Sequence, residues 1–171
     1  MRNGSGDEYS IVFTAAGVFV RGFDHESPMS PYGLEPERPW PGVVDSVPPE
    51  FAVQVTEPAF SHQFPHGLVP AVTACIWRRL GDERWHAGTI AFPEGYADPD
   101  GADWMFEVLA DGTPGAYCRH AEDYFGQPIH VEAVRQVYAH TPLTDELVSA
   151  LNPDVCVADL AEDLAAISYP V

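Results

Sequence analysis

The sequence contains no lysine, so all eight of its basic residues are arginine. They stand against 26 aspartate and glutamate residues, which gives a formal net charge of −18. A surface of this charge repels phosphate backbones, so it argues against direct binding to nucleic acid. It favours fast encounter with a basic protein partner. Selection for solubility alone would produce the same charge, and this alternative stays open.

Cysteine is also scarce, and Cys75, Cys118 and Cys156 lie too far apart in sequence to form a C-x-x-C pair. This spacing argues against a zinc site built from cysteines. An odd number of cysteines without a disulfide framework is typical of a reducing compartment. No apolar run approaches the roughly 18 residues of a membrane span. The first ten residues lack the apolar segment of a secretory signal, so we expect a cytoplasmic protein without membrane contact.

Motifs that would support catalysis or a cofactor are missing as well. The sequence contains neither a G-x-S-x-G elbow nor a phosphate-binding glycine loop. The segment HESPM begins like a metalloprotease motif, but Met29 occupies the place of the second histidine. His62 and His66 are four residues apart, yet Pro65 prevents them from sharing a helical face. We therefore expect no metal and no cofactor, and the sequence favours a protein that is not an enzyme.

Alternating apolar residues predict strands in the N-terminal two thirds of the chain. The segment YSIVFTAAGVFVRGF predicts two short strands, and TACIWRRLGDERWHAGTIAF predicts a hairpin in which Trp77 and Trp85 stack across the strands. FAVQVTEP and DWMFEVL are predicted to be further strands. AYCRHAEDYFG fits a strand and an irregular helix equally well.

Residues 27–49 hold many of the 17 prolines, so neither a helix nor a central strand can run through them. The segment also carries Met29, Tyr32, Leu34 and Trp40, whose apolar area favours an extended arm that docks on the core. A linker between domains is the alternative.

The period of the apolar residues changes near residue 129, and the rest of the chain is predicted to be helical. The predicted helices lie in IHVEAVRQVYAH, in TDELVSALN with Thr144 as its N-cap, and in DVCVADLAEDLAAI. Strands followed by helices predict an α+β fold, with an antiparallel sheet from residues 1–128 packed with the helices of 129–171. The length of 171 residues predicts a single domain, 1–171.

The acidic residues concentrate in residues 91–171, which carry −13 of the net charge of −18. In ADPDGADWMF, Gly101 directly follows Asp100, which is earlier than the glycine of a calcium loop. Glu107 also comes too soon to be the last ligand of such a loop. The pattern therefore favours a turn. Such a turn projects charge toward a partner. The predicted partner contacts are Asp98, Asp100, Asp103, Glu122 and Asp123.

A different hypothesis places a small-molecule site between the proline arm and the hairpin. Cys118 and His120 are two residues apart, which on a strand would put both on one face. In this alternative the protein is an enzyme or ligand-binding domain of unknown reaction. Its polar groups would come from His25, Glu26, His86, Cys118 and His120.

Residues 85–125 carry a family resemblance. A strand, an acidic glycine turn, a further strand, a "DG" turn and an aromatic segment before a helix resemble the SUKH superfamily of bacterial immunity proteins. The absence of lysine is typical of GC-rich bacterial genomes. The resemblance implies a protein that neutralises a toxin by binding it, without catalytic residues. The leading hypothesis is therefore a non-enzymatic acidic binding protein, an immunity or inhibitor protein for a basic partner. An acidic mimic of DNA is a further hypothesis.

Overall fold

The computed structural model describes residues 1–171 and contains one four-stranded antiparallel sheet, one two-stranded hairpin and six α-helices. Tertiary contacts divide the chain into two units, residues Met1–Phe106 and Glu107–Val171. All strands belong to the first unit, and most of the helical residues belong to the second. The α+β class with an antiparallel sheet is therefore confirmed, whereas the single domain stays a prediction.

The larger sheet has the strand order β1-β2-β5-β6, and β3 pairs only with β4. The strands are β1 (Glu8–Thr14), β2 (Gly17–Phe23), β3 (Ser61–Phe64), β4 (Gly67–Pro70), β5 (Ala74–Arg79) and β6 (His86–Ala87). Gly17 begins β2 with φ 142°, and a Cβ there would collide with the carbonyl oxygen of Arg78 on β5. Only glycine therefore fits where the β1–β2 turn meets the next strand. The first predicted hairpin is confirmed. The second forms only in part, because its second strand is limited to His86–Ala87 and residues 88–92 lie outside the sheet. Across it, Trp77 pairs with His86 rather than with Trp85.

The helices begin earlier in the chain than residue 129. They are α1 (Ala52–Val55), α2 (Ala102–Asp111), α3 (Pro114–Phe125), α4 (Val131–Tyr138), α5 (Asp145–Leu151) and α6 (Ala161–Ala166). The predictions for α4 and α5 are confirmed, and the Thr144 side chain accepts the N–H of Leu147 as an N-cap. The last predicted helix forms a 3₁₀ turn, Val157–Leu160, followed by α6. None of these helices is long and apolar enough to cross a membrane.

Two strand predictions are wrong because local helix signals outweigh apolar alternation: a proline in the first turn before α1, and a carboxylate acceptor at the start of α2. Residues 51–58 form α1 and flanking 3₁₀ turns, because Pro49 sets the φ angle of a first helical turn and Phe51 is the buried anchor. Residues 103–109 lie in α2, the segment in which the family resemblance assumes a second strand. The ambiguous segment 116–126 is helical too, with Thr113 as the N-cap of α3 and Gly126 ending it at φ 68°.

The proline-rich arm is docked on the core of the first unit. Met29 and Val43 are fully buried, and Trp40 packs against the same core while its Nε1 donates to the carbonyl oxygen of Ala91 at 3.0 Å. The buried cluster consists of Phe19, Met29, Val43, Phe51, Val72, Cys75 and Trp77. Since the arm supplies two of its members, residues 27–49 are part of the fold rather than a linker.

Replacing Met29 by alanine tests this docking. Met29 is 0% exposed, so Met29→Ala leaves a cavity and is expected to lower the free energy of unfolding by about 2–5 kcal/mol in a urea titration. Leu80 is 84% exposed, so Leu80→Ala is the matched control and should change stability by less than about 0.5 kcal/mol. Equal effects of the two substitutions would show that the arm does not dock.

Candidate functional site

A cleft of about 700 Å³ opens within the helical unit, and this volume lies in the range of ligand-binding sites. Its walls come from α3, α4, the loop between them, and the residues that follow α5. Most of the lining is apolar or aromatic: Tyr117, Phe125, Ile129, Val134, Val137, Tyr138 and Leu151. The polar lining consists of Gln127, Asn152 and Asp154.

Helix packing explains why aromatic side chains line the cleft. In α3 the buried positions are small, Ala116, Cys118 and Ala121, and α4 buries Ala133 and Val134. The core between these two helices is therefore filled by small side chains, and the larger rings lie at its edge. The rings of Tyr117 and Tyr138 approach to 6.5 Å between centroids, and both remain exposed. The cleft thus presents aromatic surface to solvent instead of burying it.

One carboxylate lines this cleft, another is bonded to its wall, and no basic residue lines it. Asp154 belongs to the lining, and Glu122 accepts the N–H of the lining residue Ile129 at 3.3 Å. The helical unit contains only two arginines, and both are in ion pairs: Arg119 with Asp111 at 3.4 Å, and Arg135 with Glu132 at 3.2 Å. Negative charge around the cleft is therefore largely uncompensated.

Burial raises the pKa of the Tyr138 phenol, and the neighbouring Tyr117, Cys118 and Asp111 raise it further. Each of these effects disfavours the phenolate. The Tyr138 hydroxyl therefore stays protonated at neutral pH and can donate a hydrogen bond.

The acidic stretch at residues 97–103 is a turn, as predicted, but it leads into a helix. Asp98 accepts the N–H groups of Asp103 and Trp104 at 3.3 and 3.2 Å, and Asp100 accepts that of Ala102 at 3.1 Å. Gly101 has φ 72°, and a Cβ there would lie 2.5 Å from Oδ2 of Asp24. Burial raises the pKa of Asp100, and Asp98 raises it further. Two of the predicted contact residues thus have a structural role at the start of α2.

The other three predicted contact residues are solvent-exposed. Asp103 lies in the first turn of α2, and Glu122 and Asp123 lie near the end of α3. Their exposure is compatible with contact to a partner, which stays a prediction for all five residues.

The residues of the alternative pocket each have their own local environment. His25 contacts Asp7 and His86 lies 3.4 Å from Asp82, while Glu26 is exposed. Cys118 is buried, whereas His120 is exposed and stacks on Tyr124 at 6.1 Å.

The expectation that Cys118 and His120 share one face is wrong. They lie on α3, where positions two apart point in nearly opposite directions because a turn takes 3.6 residues.

Sequence reasoning missed a cluster of Asp7, Asp24 and His25 in the first unit. One potential ligand atom from each residue lies within 4.8 Å of the others, so this group could hold a metal. Its hydrogen bonds account for the arrangement without an ion. Asp7 Oδ1 lies 2.6 Å from Nδ1 of His25 and accepts the backbone N–H of that residue at 3.0 Å. Asp24 accepts bonds from the Glu26 N–H and from Trp104 Nε1. Asp7 and His25 are 18 residues apart, so no motif spacing could reveal the pair.

The pair shifts both of its pKa values. The hydrogen bond that the His25 ring makes to the Asp7 carboxylate raises the pKa of His25, and burial opposes this shift. Burial alone would raise the pKa of Asp7, but hydrogen bonds from His25 and Asn3 outweigh it and lower that pKa. The ion pair between imidazolium and carboxylate is thus favoured in the folded state.

Replacing Asp7 by asparagine should remove a pH-dependent part of the stability. The folded pKa of His25 is above its unfolded value of about 6.5, so its contribution is full below that pH and is lost as pH rises through the folded pKa. The folded pKa of Asp7 is below about 3.9, so its contribution is lost only as pH falls through that lower value. Urea titrations of Asp7→Asn should therefore show a smaller loss of stability between about pH 6 and 8 than the native chain.

Glu26→Gln is the control for this experiment, because Glu26 is exposed and acts on His25 only through its charge. NMR titration of the His25 ring should give a lower pKa in Asp7→Asn and a smaller change in Glu26→Gln. An unchanged His25 titration in Asp7→Asn would contradict the ion pair.

Alanine at Asp98 tests its role as a helix cap. Removing the carboxylate leaves two N–H groups of α2 without their acceptor, so Asp98→Ala should lower stability by about 0.5–2 kcal/mol. Asp103→Ala removes an equal charge from the first turn of α2 without removing an acceptor of its N–H groups, and thermal unfolding should show a smaller effect. Equal losses would mean that charge alone stabilises the start of α2.

Comparison with known proteins identifies no relative. No family model matches the chain, and neither the curated proteins nor the solved structures contain a match. Function must therefore be inferred from the geometry and charge of the chain.

Proposed function

We propose that the protein is a non-enzymatic binding protein for a basic protein partner, and that the helical unit Glu107–Val171 binds this partner. One observation carries the proposal: all eleven acidic residues of this unit are exposed, whereas its only two arginines are already paired. Exposed charge of one sign steers a partner of the opposite sign and raises the association rate. The apolar cleft within this charged surface supplies area that a partner can bury.

The composition of the cleft favours binding over catalysis. Its lining contains no histidine, cysteine, serine, lysine or arginine. A nucleophile with an adjacent histidine or lysine base therefore has no candidate within it. A small-molecule ligand is the second candidate function, and the volume of the cleft is the observation that favours it.

The finer form of the proposal is an immunity or inhibitor protein that acts in the cytoplasm. The sequence resemblance of residues 85–125 to the SUKH superfamily suggests the immunity role, although residues 103–109 form α2 where that resemblance assumes a strand. All three cysteines are free thiols, which is compatible with a reducing compartment and so supports a protein that acts in the cytoplasm.

Charge-neutralising variants test the proposal. The triple variant Glu122→Gln, Asp123→Asn and Asp154→Asn removes three exposed charges of the helical unit, one of them in the cleft lining, and keeps side chains of the same shape. Association with the basic protein recovered from native lysate should slow by about tenfold at 0.01 M salt, where the Debye length is about 30 Å. The difference from the native chain should shrink at physiological salt, and stopped-flow mixing measures both rates.

The matched control neutralises three exposed acids of the first unit, Glu26, Glu35 and Glu94. It changes the net charge equally but leaves the helical unit intact, so its association should slow much less. Equal slowing by both variants, or association rates that do not depend on salt, would show that the charge serves solubility and not recognition.

A further inference from the structure

We infer that the cleft of the helical unit binds an amphipathic helix that is rich in lysine or arginine, inserts large apolar side chains into the cleft, and places its cations beside the surrounding carboxylates. This inference rests on the proposed function and adds the chemistry and conformation of the bound segment.

The apolar surface of the cleft is accessible in the folded chain. Phe125 is 59% exposed, and Tyr117, Tyr138 and Leu151 are also exposed at its walls. A continuous apolar patch with a polar rim is typical of a binding surface. The cleft volume of about 700 Å³ suits a drug-sized ligand, so it exceeds what one side chain would fill. Several anchors from one segment can therefore enter together.

The carboxylates at the cleft determine which charge the bound segment should carry. Asp154 is part of the lining, and the carboxylate of Glu122 is bonded to the backbone of Ile129. Asp111 adds a small part to the raised pKa of the Tyr138 phenol, after burial, Tyr117 and Cys118. These three residues come from different parts of the unit, and Arg119 beside Asp111 is the only cation bonded to any of them. An acidic or neutral segment would leave this charge uncompensated, whereas a basic one complements it.

The secondary structure of the helical unit determines the conformation in which the segment binds. Residues 107–171 contain no strand, so an extended peptide finds no sheet edge with which to pair. The cleft lies instead between helices, as in proteins that bind the apolar face of a helix through anchors at positions i, i+3, i+4 and i+7. Tyr138, Gln127 and Asn152 offer hydrogen bonds beside these anchors.

Two synthetic peptides of about 15 residues, or about four helical turns, serve as probes. Both contain the same leucine, tryptophan and lysine residues. In the first, the apolar residues occupy one helical face, whereas in the second they are scrambled around the helix. Fluorescence anisotropy with the full chain gives the Kd of each, and circular dichroism reports whether the bound peptide is helical. We expect the amphipathic peptide to bind about tenfold more tightly and to gain helicity.

Phe125→Ser removes an anchor contact at a side chain that is largely exposed, so the fold should tolerate it. It should weaken binding of the amphipathic peptide about tenfold and leave the scrambled peptide unchanged. Phe92→Ser is the matched control, because Phe92 is 51% exposed but belongs to the first unit. Thermal melts confirm that both variants fold.

The outcomes separate this inference from the proposed function. If both peptides bind equally, with equal dependence on salt, and Phe125→Ser has no effect, then recognition is purely electrostatic and the amphipathic helix is overturned while the proposed function stands. If neither peptide binds at low salt, the amphipathic helix is overturned, and the proposed function is decided separately by the association rates of the charge-neutralising variants. Tight binding of a variant peptide in which glutamine replaces every lysine would overturn the requirement for a basic segment.

Discussion

Hydrogen bonds from backbone N–H groups to carboxylates are the interaction on which this acidic chain depends. With 26 acids and only eight arginines, ion pairs cannot neutralise most of the charge. Arginine pairs reach four carboxylates, whereas at least eleven carboxylates accept a backbone N–H. These bonds fix local structure. Asp24 stabilises the turn after β2, and Asp45 stabilises a turn in the proline arm. Asp98 stabilises the start of α2. Charge that cannot be paired is thus used to shape turns and helix ends.

The two units differ in how they use their acids. The first unit keeps one cation inside: Arg21 is buried, bonded to Glu8 at 3.1 Å, and lies 4.0 Å from the ring of Phe60. Burial lowers the pKa of Arg21 to about 10, and Glu8 opposes this shift. The second unit buries no charged side chain, and its acids are all exposed. Structural carboxylates therefore dominate the first unit, and carboxylates available to a partner dominate the second.

The sequence predicts an element where the signal lies within that element. Apolar alternation revealed β1 and β2, and the Thr144 cap revealed α5. Residues 103–109 carry alternation that also fits a strand, but Asp98, five residues upstream, caps them as a helix. The acidic character of residues 91–171 was predictable because net charge is a sum over residues and does not depend on how the chain folds. The cleft was not, because its lining comes from α3, α4 and the residues after α5, which only the packing of helices brings together.

Charge and cleft control different steps of binding. Exposed carboxylates act at a distance, so they set the rate of encounter and lose this effect as salt screens them. The apolar lining acts only on contact, where excluded water and buried aromatic area set the lifetime of a complex. Glu122 of α3 accepts the backbone N–H of Ile129, which is part of the cleft wall. Glutamine at this position keeps the acceptor and removes the charge. The effect of charge on encounter and the effect of the cleft wall on complex lifetime can therefore be separated, even at Glu122, which contributes to both.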